Sequence, residues 1–321
     1  MGRKTIKIIN GLINCMLLTV IVLLIAFAGY ALWDSKQIYQ AADKANYAVY
    51  KPTAENQGKS FQELRALNPD VFAWLSVYGT NIDYPVTQGQ DNMQYINTNA
   101  EGQYALSGSI FLDCSSKRDF SDFNSILYGH HMDKKMMFGE IGTFADKSVF
   151  DSHKYGNLYY DGKDHGIEFF AFVHTDAYDG AVYAPGVKES YQQAYLDGLL
   201  KKAMYKRDIG VTTRDRLVLL STCSATSTNG RDLLIGRITD KTYDDTTINK
   251  DTSDGKKGSP YCYVKGLPMW LLFLALVFAA LLSARALVTY HKWKLEKKNR
   301  DGGKDQCLKH SKQRGKEPYT P

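Results

Sequence analysis

Arg216-Leu-Val-Leu-Leu-Ser-Thr-Cys223 is an aliphatic run that ends on a thiol, and seven residues later Gly230-Arg231 opens a second run through Leu233 to Ile238. Both runs have the length and composition of short strands. A strand that ends at the rim of a barrel presents its last side chain to solvent and substrate, which singles out Cys223 from the other thiols. Far upstream, Ile126-Leu-Tyr-Gly-His130-His131-Met132 is a strand running into a histidine, the base or cation that an activated cysteine needs. Cysteine, histidine and arginine therefore all fall at strand ends.

Working outward, Val71 to Val77, Ile82 to Val86, Ser109 to Leu112, Ser125 to Tyr128 and Ile167 to Val173 read as further strands, punctuated by Gly, Asn and Asp. The pattern predicts a mainly β fold, a mostly antiparallel sheet or small barrel. One long helix is predicted over Glu189 to Arg207, where Tyr191, Tyr195, Leu199 and Ala203 recur at i, i+4 and Leu196, Leu200 and Met204 widen the stripe. A short helix from Phe61 to Leu67 stops before Pro69. Helical spacing also runs from Asp34 to Tyr50, until Pro52 and a polar stretch break it.

Two apolar stretches, Gly11 to Trp33 and Gly266 to Tyr290, are each long enough to cross a bilayer of about 30 Å. Ala26-Phe27-Ala28 gives the first a signal-peptidase reading, but its apolar run exceeds a signal h-region of roughly 7 to 15 residues and favours an uncleaved anchor. Arg3, Lys4 and Lys7 precede the first span, while Lys292, Lys294, Lys297, Lys298 and Arg300 follow the second. Positive flanks put both termini in the cytoplasm. The reading divides the chain into a cytoplasmic N-terminus (1–10), a span (11–33), an external helical stalk (34–60) and a catalytic domain (61–240). A polar linker (241–265), a second span (266–290) and a basic cytoplasmic tail (291–321) follow.

The formal charge of +6 is concentrated at the ends. Setting aside fourteen basic and four acidic residues of the spans and tails leaves the intervening segment at −4, which argues against nucleic acid and assigns the basic excess to topology and anionic lipid. Of the five cysteines, Cys15 and Cys307 fall in a span and the tail, leaving Cys114, Cys223 and Cys262 outside. An odd number leaves at least one free thiol. No C-x-x-C occurs, so neither a redox pair nor a zinc knuckle is indicated, and His153, His165 and His174 lack ligand spacing.

At these residues the chain resembles the class B sortases, surface transpeptidases of Gram-positive bacteria. The family's T-L-S-T-C motif is matched by Leu219-Leu220-Ser221-Thr222-Cys223, its Y-G-H by Tyr128-Gly129-His130 and its G-R by Gly230-Arg231. Asn68-Pro-Asp-Val-Phe-Ala-Trp74-Leu75, Ile82-Asp-Tyr-Pro-Val86, Asp91-Asn92 and Gly108-Ser-Ile-Phe-Leu-Asp113 extend the likeness over about Phe61 to Asp240. Leu219 departs from the first threonine of the motif, and Ala73 stands where a glycine is usual. A C-terminal span is commoner among pilin-polymerising sortases of another class.

The resemblance implies a closed barrel of about eight strands with N-terminal helices and one inserted helix, flanked here by two membrane helices. It implies that Cys223 attacks a Thr-X bond in a sorting signal of a surface protein or pilin, forming a thioester that an amine of the cell wall or of a pilin resolves. His130 would stabilise the thiolate and protonate the leaving amine, and Arg231 would serve the oxyanion or the substrate carbonyls. No cofactor or metal is implied. Asn92, Ile96, Tyr128, Ser221 and Thr222 are implied groove residues, although Ile96 reads equally as core, and His131 reads as a solvated neighbour of His130.

Two rival readings stay open in the sequence: a thiol protease that releases the acyl group to water, and a non-catalytic adhesin or signalling ectodomain on the same barrel. One geometric expectation separates two arginines of equal strand parity. If the two terminal runs pair as a hairpin, Cys223 lies opposite Arg231, and Arg237 sits six residues further along, roughly 20 Å away.

Overall fold

The computed structural model describes residues 3–53, 59–224 and 228–245, and residues 284–295 in part. Helix α1 (Arg3–Ala41) is continuous. Its Thr5–Ala41 portion, 37 residues, is long and apolar enough to cross a membrane. The expected second span, Gly266 to Tyr290, lies largely outside the described residues. Stalk helicity was expected to reach Tyr50, but α1 ends at Ala41 and two 3-10 turns follow, Lys44–Asn46 and Ala48–Tyr50. Local chemistry accounts for the stop: the Asp43 carboxylate accepts from the Ala45 N–H at 2.9 Å, an N-cap bond that competes with helix continuation. Burial of Ala42 and Tyr47 then turns the chain onto the domain.

Helix α2 (Lys59–Leu67) lays Phe61 and Leu64 on the sheet, with the Phe61 ring edge-on to Trp74 at 6.4 Å and to Tyr159 at 5.4 Å. The strands are β1 (Val71–Val77), β2 (Asp83–Thr87), β3 (Ile110–Leu112), β4 (Asn124–Tyr128), β5 (His131–Met132) and β6 (Met136–Met137). After the short helix α3 (Lys147–Ser152) they continue with β7 (Tyr155–Tyr160), β8 (Lys163–Asp176), β9 (Ala203–Lys206), β10 (Arg216–Cys223) and β11 (Gly230–Thr239). Strand order β11-β10-β4-β3-β2-β1-β7-β8 closes on itself because β8 also pairs with β11. The result is an eight-stranded closed barrel with β9 on its margin and β5-β6 as a separate small hairpin. Its pairing is mixed, since β10–β4 and β2–β3 run parallel.

Strand β10 reads as an unbroken apolar run because both of its faces are covered, the situation that removes the usual alternation. Val218 and Leu220 point into the barrel core with Leu127, Phe172 and Leu234. Leu217 and Leu219 join an outer cluster with Ile126, Leu233 and Ile235, capped by helix α4 (Glu189–Lys202) through Tyr195, Leu196 and Leu199. Two expectations for α4 are corrected. Tyr191 is exposed, and the helix stops at Lys202 because Ala203–Lys206 is drawn into β9, pairing Ala203 with Val173 and Tyr205 with Phe172. Ladder bonds to the free margin of β8 outweigh continued helical periodicity there.

Candidate active site

Alternation along β10 sets the site. Past Leu217 and Leu219, the same outward face carries Ser221 and Cys223, while Thr222 turns inward. The register of β10 against β11 sets Cys223 directly opposite Arg231 and Leu217 opposite Arg237. Arg237 is committed elsewhere, paired with Glu168 and 3.7 Å from Asp215. Arg231 is partly exposed and donates to the Gly230 carbonyl at 2.9 Å; among the described residues no carboxylate pairs with it.

On the other side of β10, the parallel strand β4 sets Tyr128 level with Ser221, and the Gly129 N–H continues the ladder to the Ser221 carbonyl at 3.2 Å. His130 follows two residues past the end of β4 at Tyr128, as Cys223 follows two residues past Ser221, the partner of Tyr128, so both leave the paired segment at the same end. The parallel pairing is what unites two motifs more than ninety residues apart in sequence. His130 Nε2 lies 2.8 Å from the Ile96 carbonyl. Cys223 itself is exposed and free.

Around this line runs a hydrogen-bonded wall. Asn92 Nδ2 and the Tyr128 hydroxyl both donate to Asp113 Oδ2, at 2.8 and 3.0 Å, and Asn92 Oδ1 accepts from the Cys114 N–H at 2.8 Å. Burial, reinforced by the Asp113 charge, raises the Tyr128 hydroxyl well above the ordinary tyrosine range. Tyr183 stacks on Tyr128 with ring centroids 6.4 Å apart, and its hydroxyl shares a 2.8 Å hydrogen bond with Ser221 Oγ. Burial pushes the Tyr183 hydroxyl up to about 12. Both phenols therefore stay protonated near neutral pH, Tyr128 as a neutral donor to Asp113, and both rings serve as apolar walls.

The expected groove residues divide. Tyr128 and Ser221 stand side by side near the end of β10 and Asn92 joins them through Asp113, although Ser221 is 2% exposed and bonded to Tyr183. Ile96 contributes its main-chain oxygen. Thr222 is corrected: it faces inward at 2% exposed, and its hydroxyl has no hydrogen-bond partner among the described residues. His131 is half-buried in β5, with Nδ1 enclosed, where solvation was expected. Tyr183 and Asp113 are partners that sequence reasoning did not single out; a lone aromatic in the small-residue run Gly180 to Gly186 was the available signal for the first. Among the described residues no group of three or more His, Cys, Asp or Glu converges as metal ligands would.

No family model matches the chain. Sortase B of Staphylococcus aureus (strain NCTC 8325 / PS 47) is 29% identical over 214 residues, spanning 63% of this chain and 86% of that protein. Among solved structures, the sortase B from the type II pilus of Streptococcus pneumoniae is 47% identical, with a TM-score of 0.50, over 56% of this chain and 99% of that one. A Streptococcus pyogenes class B sortase involved in pilus biogenesis is 42% identical, with a TM-score of 0.52, over 57% and 99%. With a barrel that ends in cysteine, histidine and arginine at one rim, and these likenesses across that whole domain, the chain belongs to the class B sortases, the cysteine transpeptidases its motifs resemble.

Proposed function

We propose that this sortase cleaves the sorting signal of a surface protein or pilin through a thioester on Cys223 and passes the acyl group to an amine, with His130 and Arg231 as its catalytic partners. The observation that supports this most is the double register of β10, opposite Arg231 on one side and beside the strand that delivers His130 on the other. The Cys223 thiolate adds to the scissile carbonyl, and the oxygen that becomes negative is met by the Arg231 guanidinium, a permanent cation with a forked set of donors. Collapse breaks the C–N bond, and the departing amine takes a proton from His130. In the second half, an incoming amine adds to the thioester carbonyl, His130 accepts its surplus proton, and the thiolate leaves.

Two of the solved relatives come from, or are involved in, pilus systems, and at 47% and 42% identity they favour a pilin as acyl donor and a pilin amine as acceptor. A cell-wall precursor amine is the other acceptor class. The enzyme sits at the cell surface, tethered by α1. In this reading a second span at Gly266 to Tyr290 returns the chain to the cytoplasm, and the basic residues beyond it lie against anionic lipid.

The deciding experiment incubates the full chain with a sorting-signal peptide, with and without an added amine, and follows acyl-enzyme and products by mass spectrometry. Cys223→Ala abolishes the acyl-enzyme and the transfer, whereas Cys114→Ala and Cys262→Ala retain both. Transfer by the Cys223 variant would overturn the assignment, and product that is always the free acid would convert the reading to a protease.

A further inference from the structure

His130 must be held in one ring orientation and one tautomer if a single nitrogen is to shuttle protons at the thioester, and no carboxylate among the described residues bonds to its ring. What its ring does bond is a main-chain carbonyl: Nε2 lies 2.8 Å from the oxygen of Ile96. A carbonyl oxygen only accepts, so Nε2 carries the hydrogen in both the neutral and the cationic ring. Nδ1 is then the nitrogen that gains and loses the proton.

That carbonyl is itself rigidly presented. It closes the 3-10 turn Gln94–Ile96, whose buried Tyr95 side chain is pinned through its hydroxyl, which donates to Asp70 Oδ2 at 2.9 Å and accepts from Asn68 Nδ2 at 3.0 Å. On the opposite side, Gly108 backs directly onto the turn. A Cβ at Gly108 would stand 2.5 Å from the Ile96 oxygen and 2.6 Å from the Tyr95 oxygen, both main-chain atoms that cannot step aside like a side-chain tip. The Ser109 N–H donates to the Tyr95 oxygen at 3.0 Å and keeps the two segments in this register.

We propose that the Ile96 main-chain carbonyl is the orienting acceptor of His130, filling the place that a carboxylate or amide side chain takes in other cysteine–histidine enzymes, and that Gly108 is a positioning residue because only a residue without Cβ lets that oxygen stand where it does. This rests on the reading of His130 as the catalytic histidine. The consequence is directional: Nδ1 delivers the proton to the leaving amine and removes it from the incoming one. Ile96 then matters through its backbone, so its side chain is replaceable while its carbonyl is not.

Two measurements test this on the full chain in detergent micelles. Nitrogen-15 labelling of histidine, with the His130 signals assigned by their loss in His130→Gln, reads the neutral tautomer directly above the imidazole titration. The expected pattern is a ring protonated at Nε2; a ring protonated at Nδ1 overturns the proposal, whatever any variant does. Gly108→Ala is then compared with Gly102→Ala. Both glycines have positive φ, +58° and +82°, so both variants carry similar backbone strain, but the nearest atom to a Cβ at Gly102 is 3.9 Å away. Expected for Gly108→Ala is a loss of about a hundredfold in kcat, the scale of an ångström-sized misplacement, with KM little changed and the Nε2–H pattern weakened. Gly102→Ala keeps kcat within about twofold by the same geometric argument. Equal kcat losses in the two variants, or an unaltered tautomer pattern in Gly108→Ala, refute the positioning role. If instead His130→Gln itself keeps full transfer while the tautomer is as expected, the catalytic reading of His130 fails and the geometry stands.

Discussion

Arg231 and Arg237 lie on one strand with the same parity, so the effects of removing them separate along two axes. Arg231 is opposite Cys223, where cross-strand Cα atoms are roughly 5 Å apart, and its guanidinium has no carboxylate to satisfy among the described residues. Its removal takes away a charge that the fold does not use. Arg237, opposite Leu217, is about 20 Å further along and bridges Glu168 and Asp215 in a half-buried cluster completed by the Tyr243 hydroxyl, 2.6 Å from Glu168 Oε1. Losing a transition-state donor costs about a hundredfold, or roughly 2.7 kcal/mol of barrier. Losing charged hydrogen bonds to a mostly buried carboxylate costs about 2 kcal/mol of stability, and so about 4–8 °C in Tm for a domain of this size. Arg231→Ala is therefore expected to lower single-turnover acylation of a sorting-signal peptide about a hundredfold with Tm nearly unmoved. Arg237→Ala should lower Tm by that increment and leave acylation below the melting range within about threefold, since no donor near the reacting carbonyl is lost. Stopped-quench acylation and thermal melts on the same preparations give both axes. If Arg237→Ala produces the larger acylation defect, the oxyanion argument built on the β10–β11 register is wrong.

Three further outcomes follow from particular contacts. The buried Tyr84 hydroxyl donates to the Ala42 carbonyl at 3.0 Å and accepts from the Met137 N–H at 3.2 Å, tying the end of α1 to β6; Tyr84→Phe should cost about 1–3 kcal/mol and speed hydrogen exchange at Met137, and unchanged exchange would show the tie to be dispensable. His165 is buried, stacked on Tyr160 at 3.8 Å, and burial, with Lys163 adding to it, lowers its pKa, so the folded protein holds it neutral. The stability this contributes is complete above the unfolded value of about 6.5 and is lost as pH falls below it, because the unfolded chain takes up the proton first. Urea midpoints at acidic and neutral pH should converge in His165→Phe relative to the parent, and an equal pH slope in both would count against a neutral His165. External protease on protoplasts should remove the region between Asp34 and Lys265 while sparing tags at both termini; loss of the C-terminal tag would exclude a second span in the proposed sense.

The place of the candidate site was legible in the sequence because its residues stand at strand ends. Cys223 closes an aliphatic run, His130 follows another, and Gly230-Arg231 opens the next, so strand parity and a tight connection were enough to pair cysteine with arginine. Strands with weak local signals were not legible. Tyr155–Tyr160 carries Gly and Asn and no β-branched residue, and Ala203–Lys206 continues the helical spacing of the segment before it, so the first becomes a strand through the bonds that β1 and β8 offer it and the second through those of β8. Tertiary structure alone decided three further matters. The parallel pairing of β4 with β10 lays the strand that ends just before His130 beside the strand that ends in Cys223, a choice of neighbour that no local pattern encodes. Covering of the outward face by α4 and Tyr183 sorts Ser221 into the site's floor and leaves Thr222 on the core side. The acceptor that orients His130 is a main-chain oxygen, identical in every residue, and its presence at that point depends on where a turn and a glycine from two separate segments meet. A sequence names side chains; which backbone atoms face them is settled only when the chain has packed.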